Sequence, residues 1–309
     1  MSGKLYVMGA PRYIFDGLHP ELQQRIEYVS SFLNFPKSKW KQITRYLVVG
    51  RIPLPKQVLY LWFSAQELNH LLQADAYDRI LLYECCNVRA LRAIKTLLPK
   101  QTVCYIYYCN PIHTIFRQPE KQLKQIHQLG FRLSSFDPHD ASKYHLDSAG
   151  QYFCYPHDDN TTPAPSSDCF FCGLPKDREE DLLLLLRQTM EAGGLKCNFI
   201  IPKLPAEKIT YPEYLRQLSA SRCVVDICQQ NQTGLTRRPL EALFYQKKLI
   251  TNNPHIKEYN FYNPANILIL QETPDIRQIK EFMARPMAEI PESIRRQYDI
   301  NQWIDQFLH

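Results

Sequence analysis

Two short segments carry residues whose types and spacing suit the binding of a phosphorylated ligand. The first, Gly173-Leu-Pro-Lys176-Asp-Arg178, lies between an apolar run and a helix-like one. Cations in such a loop, together with the free amides of a helix start, form a cradle for a diphosphate. An exposed basic turn is the plainer reading of the same residues. The second segment runs from Asp226 to Asn253. A polar turn containing Thr233 and Gly234 delivers Arg237 and Arg238 to a helix start, and Glu241 follows three residues after Arg238. Arginine grips phosphate bidentately, and a carboxylate one turn on can accept both hydroxyls of a ribose. The alternative is a local Arg238–Glu241 ion pair, worth a few tenths of a kcal/mol.

Other chemistries lack their residues. No G-x-G-x-x-G follows a strand, no G-x-x-x-x-G-K-[ST] occurs, and no G-x-S-x-G is present. A dinucleotide dehydrogenase, a P-loop enzyme and a nucleophile-elbow hydrolase are all disfavoured. Asp158-Asp159 has no further oxygen ligands near it, and Cys169-x-x-Cys172 has no second pair at zinc spacing. No metal site and no cofactor are expected.

The elements that must position these residues alternate between strand and helix. Strands are expected over Lys4–Gly9, Val58–Phe63, Arg79–Cys85, Thr102–Cys109 and Phe131–Phe136. Helices are expected over His19–Leu33, Ser64–Leu72 (opened by a Ser64/Glu67 capping box), Val88–Leu98 and Glu120–Leu129. Pro156–Ser167 is polar, proline-interrupted and aperiodic, and it reads as a linker. The alternation then restarts with strands at Asp168–Gly173, Lys196–Ile201, Cys223–Ile227, Lys248–Thr251 and Ile267–Leu270. Between them lie helices at Glu179–Ala192, from a Thr210/Glu213 capping box to Leu218, and at Pro239–Gln246. Alternation of this kind implies parallel sheets covered by helices. The fold class expected is α/β, with two facing Rossmann-like domains and a cleft between them. Residues 1–158 would form one Rossmann-like domain and 166–288 the other. Residues 289–309 would carry a final helix, Glu292–Leu308, back to the first domain and bury Trp303 and Phe307.

Length and composition fit this layout. A chain of 309 residues suggests two domains, and 45% hydrophobic with 22% charged residues excludes wholesale disorder. Ten glycines against 22 prolines argue against collagen-like or glycine-linker architectures. The most apolar run, Leu182–Leu186, is far too short to span a bilayer, and the N-terminal apolar run breaks at Gly9 and Pro11. A cytoplasmic location with ten reduced, mostly buried cysteines is expected. The net charge of +6 raises a nucleic-acid-binding class, but the cations are interleaved with acids and no nucleic-acid motif is present. Nucleic acid is therefore not an expected partner.

Several runs resemble bacterial lipopolysaccharide-core and capsular-polysaccharide biosynthesis proteins, which are similar to glycosyltransferases of the two-Rossmann GT-B fold. They are Gln232-Thr-Gly-Leu-Thr-Arg-Arg-Pro-Leu-Glu-Ala-Leu243, Lys247-Lys-Leu-Ile-Thr-Asn252, Phe171–Arg178, Tyr259-Asn-Phe-Tyr-Asn263 with Asn266-Ile267, and Phe136-Asp-Pro-His-Asp140 with Lys143-Tyr144. The resemblance covers most of residues 105–270. It implies a metal-independent glycosyltransferase whose C-terminal domain binds the nucleotide sugar, with donor roles for Lys176, Arg178, Arg238 and Glu241, on loops that include Gly173, Thr233 and Gly234. Retaining members of the broader fold carry a second glutamate eight residues before the helix glutamate; here that position is Thr233.

Glycosyl transfer also needs a base for the acceptor hydroxyl. Candidates at expected strand ends of the first domain are Asp16, His19, Glu84 and His113, of which at most one would serve. Asp137 and Asp140 read instead as helix caps or hinge braces. A basic, aromatic stretch with Lys37, Lys39, Trp40 and Lys41 suits docking on an anionic inner-membrane surface, and hence a saccharide or lipid-linked acceptor. A non-catalytic nucleotide-sugar-binding protein remains the alternative function.

Overall fold

The computed structural model describes residues 3–10, 12–29, 69, 71–155, 164–174, 180–202, 204, 207–228 and 232–309. The chain divides into two compact units: Met1–Gly150 with Ile300–His309, and Gln151–Asp299.

The first unit is built on β1 (Leu5–Met8), β2 (Ile26–Val29), β3 (Arg79–Tyr83), β4 (Val103–Tyr108), β5 (Phe131–Ser135) and β6 (Asp147–Ser148). They form one sheet in the order β2-β1-β3-β4-β5-β6, and every pairing is parallel. The near-continuous apolar sequence of β4, Val-Cys-Tyr-Ile-Tyr-Tyr, follows from burial on both faces. Side chains alternate, so Cys104, Ile106 and Tyr108 join Ile80 and Leu82 on one side. There they meet Leu91, Ile94 and Leu97 of α2 (Val88–Leu97), the first α-helix among the described residues being α1 (Pro20–Gln23). Asn87 fixes where α2 begins, its side chain accepting from the amides of Arg89 and Ala90 at 3.2 Å each. On the opposite side Tyr83 and Tyr107 stack edge to face at 5.4 Å. Trp303 covers Tyr107 at 4.9 Å, and Phe307 covers Tyr105 at 5.2 Å. The indole Nε1 donates to the Ala149 carbonyl at 2.8 Å, which supplies the buried ring with its hydrogen bond. Further helices of this unit are α3 (Ile112–Ile115), α4 (Pro119–Gln128) and α5 (Pro138–Tyr144).

The second unit has β7 (Ser167–Cys172), β8 (Cys197–Ile200), β9 (Ser221–Asp226), β10 (Lys248–Thr251) and β11 (Ile267–Ile269). Its order is β11-β10-β9-β7-β8, again all parallel. Phe170, Val224 and Leu249 face α7 (Tyr211–Ser219) and α8 (Arg237–Phe244). Cys169, Phe171, Val225 and Ile250 face α6 (Glu180–Ala192) and α9 (Ile276–Ala284).

Mixed α/β architecture with two parallel sheets is thus what the alternation implied, while several elements differ from expectation. Of the helix expected over His19–Leu33, the described residues hold only α1, because Ile26-Glu-Tyr-Val29 has the β-branched and aromatic content of a strand and pairs with β1 as β2, while residues 30–33 lie outside the described ones. The final helix expected over Glu292–Leu308 is three pieces: α10 (Glu292–Arg296), α11 (Ile300–Trp303) and a 3-10 turn, Ile304–Phe307. It breaks because the Phe153 amide donates to the Tyr298 carbonyl at 2.8 Å and Phe153 bridges Asp299. Thr210 caps α7 by accepting from the Glu213 amide, but Glu213 does not close the box. Its carboxylate receives Arg216 and Gln217 instead. The Val58–Phe63 strand, the Ser64/Glu67 box, most of the Pro156–Ser167 linker, and Lys37, Lys39, Trp40 and Lys41 lie outside the described residues. All ten cysteines are free thiols. Cys169 and Cys172, three apart on β7, point to opposite faces of the sheet and cannot share a metal.

Candidate functional site

In each sheet the chain order reverses direction at one place, between β1 and β3 and between β7 and β9. Parallel α/β sheets bind ligands beyond the strands' carboxyl ends at such switch points, because the two flanking loops diverge there and leave a crevice. In the second unit the loop after β7 begins at Gly173, and the loop after β9 leads to α8. The two segments singled out from sequence therefore flank one switch point.

Arg238 joins them. Its Nη2 donates to the Cys172 carbonyl at the end of β7, at 2.7 Å, and its Nη1 pairs with Asp226 at the end of β9, at 3.2 Å. The guanidinium also lies over the Phe171 ring at 5.0 Å. Asp226 is fully buried. It further accepts from Thr236 at 2.8 Å, Thr251 at 3.3 Å and the Cys228 thiol at 3.4 Å. Burial opposes the charge on Arg238, yet the carboxylate of Asp226 holds its pKa above the ordinary value. One buried atom of this network, Arg238 Nε, has no hydrogen-bond partner among the described residues. Gly173 is required by close approach: a Cβ there would stand 2.5 Å from Arg238 Nη2.

Glu241 sits one turn into α8, and only 2% of it is exposed. It accepts from the Tyr211 hydroxyl at 3.3 Å and also from the Tyr214 hydroxyl, while the two rings stack with an interplanar angle of 11°. Burial raises its carboxyl pKa, with the Tyr214 hydrogen bond acting against the rise. The sequence left open an ion pair between Arg238 and Glu241; each has found other partners.

The turn before α8 is tied down at several points. Asn253 Nδ2 donates to the Thr233 carbonyl at 3.1 Å, Gln232 Nε2 to the Gly234 carbonyl at 3.3 Å, and Gln151 Nε2 to the Leu235 carbonyl at 3.4 Å. Thr236 stands at the N-cap, but its hydroxyl is spent on Asp226 and makes no cap bond to the helix. Arg237, half-buried, occupies the first turn. Lys176 and Arg178 lie outside the described residues. Asp226, Tyr211, Tyr214, Thr251 and Asn253 were not singled out by sequence reasoning. The one usable signal was an acid inside the apolar Cys223–Ile227 run, since a charge at that place needs a partner.

Of the candidate bases, Glu84 directly follows β3 at the first sheet's switch point. It is half-buried and has a left-handed backbone, φ 50°. Its carboxylate accepts from Asn110 at 2.5 Å and from Cys109 at 3.3 Å. Non-glycine residues hold this conformation only when the surroundings enforce it, as the Glu84 amide bond to the Tyr107 carbonyl (2.9 Å) helps to do. Asp16 and His19 follow β1, the strand beside β3, and both are exposed; the His19 amide donates to Asn301 at 2.7 Å. His113 is exposed on α3, after β4. Asp137 caps α5 through the amides of His139 and Asp140, and Asp140 accepts from the Ile112 amide at 2.8 Å, so both have structural work.

No family model and no curated protein matches the chain. Among solved structures, one similar chain is a UGT transferase from Siraitia grosvenorii in complex with UDP. It is 11% identical, with 98% of this chain and 94% of that chain covered, at a TM-score of 0.42.

Proposed function

We propose that the chain is a glycosyltransferase that moves a sugar from a nucleotide sugar to a lipopolysaccharide, capsule or other surface-glycan acceptor, without needing a metal. The observation that carries this reading is the convergence at the second sheet's switch point. There Arg238 ties the ends of β7 and β9 together and keeps a buried Nε that has no acceptor among the described residues. An unpaired donor of that kind costs free energy that a phosphate oxygen would recover. The leaving diphosphate would lie between the Gly173 loop and the start of α8, facing Arg237 and helix amides that Thr236 does not cap. Lys176 and Arg178 follow Gly173 in the sequence. Preorganised cations and amides stabilise a departing phosphate without reorganising during the reaction. Glu241 would serve the ribose only by exchanging its tyrosine hydrogen bonds for the sugar's hydroxyls. In the first unit Glu84 is the best-placed base, being enforced in position at a switch point, ahead of Asp16, His19 and His113.

Calorimetric titration of UDP, GDP, CMP and dTDP into the full chain and into Arg238→Lys tests the donor site. Lysine keeps a cation beside Asp226 but removes Nε and the two-pronged bridge. The preferred nucleotide should bind about ten- to a hundredfold more weakly to the variant, as expected for losing one charge-assisted hydrogen bond. Equal affinities would refute the site. Nucleotide release from a donor panel then separates an enzyme from a binding protein.

A further inference from the structure

Adjacent lysines at the start of β10 have opposite fates. Lys247 and Lys248 are only 8% and 5% exposed. Lys248 is satisfied: its Nζ donates to the Ala265 carbonyl at 3.2 Å and to the Phe282 carbonyl, and lies over the Phe282 ring. Lys247 has no side-chain hydrogen bond or ion pair among the described residues, and burial alone pushes its pKa below 10.5. Low exposure weakens the hydration of such an ammonium, so an anion that reaches it gains more than it would at an exposed lysine.

Lys247 lines a cavity of about 350 Å³ along the C-terminal half of α8, away from the Arg238 network at the helix's other end. Its walls include Leu243, Leu249, Phe261 and Ile267, and the volume is within the range of small-ligand sites. One wall is pinned by Asn266, whose side chain both donates to the Ala288 carbonyl and accepts from the Ala288 amide, at 2.8 Å each. Arg295 supplies a second cation at the cavity. Its Nη2 pairs with Glu292 at 2.7 Å, but its Nε is buried without an acceptor among the described residues. The cavity thus joins apolar walls to two cationic groups, Lys247 and Arg295, with Gln246 and Glu289 also on its lining.

We propose that this cavity binds a small amphiphile whose anionic headgroup pairs with Lys247 and Arg295 while its apolar body lies against Leu243, Leu249, Phe261 and Ile267. The site is separate from the proposed nucleotide site and stands or falls independently of it. Calorimetric titration of octanoate, octyl phosphate and 1-octanol into the full chain tests it, the two anions distinguishing a carboxylate from a phosphate headgroup. At least one anion should bind about tenfold or more tightly than octanol, the scale of a single charge-assisted contact. Lys247→Met should bring that anion down to the octanol level, and Arg295→Gln should weaken it severalfold. Equal affinity for all three probes, or no measurable anion binding, overturns the proposal without recourse to any variant. So does an anion preference that survives in Lys247→Met or is unaltered in Arg295→Gln.

Discussion

Asp226 shows how a single buried charge can organise the end of a sheet. Its carboxylate takes hydrogen bonds from the loop before α8, from α8 itself and from β10, and its partner Arg238 reaches β7. Removing one member of a buried ion pair leaves the other desolvated, which costs about 3–5 kcal/mol. Asp226→Ala should therefore lower the unfolding free energy measured by urea titration of the full chain by that order, through a lower midpoint at an intact m-value. The double change Asp226→Leu with Arg238→Met should recover much of the loss, because two apolar groups replace two unpaired charges. Additive losses in the double variant would mean that the pair is not the organising contact.

At the scale of elements, helix α7 carries a titrating group whose effect has a definite sign. Glu213 accepts from both Nε and Nη2 of Arg216 at 2.7 Å, and from Gln217 at 2.6 Å. The Arg216 hydrogen bonds, then that of Gln217, lower its pKa from 4.5 to about 2. A carboxylate with a depressed folded-state pKa contributes stability that is complete above its unfolded value and is lost as pH falls through the folded one. The melting temperature of the wild type should thus decline between pH 4.5 and about 2 in part through this residue. Glu213→Gln should flatten that portion of the acid limb and leave the profile near neutrality parallel to wild type. The interaction is solvent-exposed, so added salt should shrink the difference between the two profiles.

At the scale of the whole molecule, the last ten residues belong to the first compact unit although the chain has meanwhile built the second. Trp303 and Phe307 meet edge to face at 4.9 Å and cover Tyr107 and Tyr105 of β4. Trp303→Ala would leave a cavity over Tyr107 and an unpaired Ala149 carbonyl, at a cost of about 3–5 kcal/mol. Scanning calorimetry should show a first-unit transition shifted down while that of the second unit keeps its position. A shift of both transitions together would mean that the two units do not unfold separately.

Most of the described strands and helices were legible because their local patterns agree with their burial. β4 reads as a two-sided apolar strand, and α2 carries both its capping Asn87 and its helical stripe. β2 was hidden in a stretch that mixes helical spacing with β-branched residues, and only pairing with β1 resolves it. The break in the final helix was equally invisible, since it depends on Phe153, far away along the chain. The switch-point loops were found from their cations and their glycines alone. Which of those side chains remain available for a ligand was not decided by sequence. Arg238, read as a phosphate ligand, spends two of its donors on Cys172 and Asp226, and Glu241, read as a ribose ligand, is held by two tyrosines of another helix. Residue type and spacing along the chain determine which groups arrive at a strand end. The partners they meet come from distant segments, and only the folded backbone sets those distances, so burial and pairing are decided by tertiary structure.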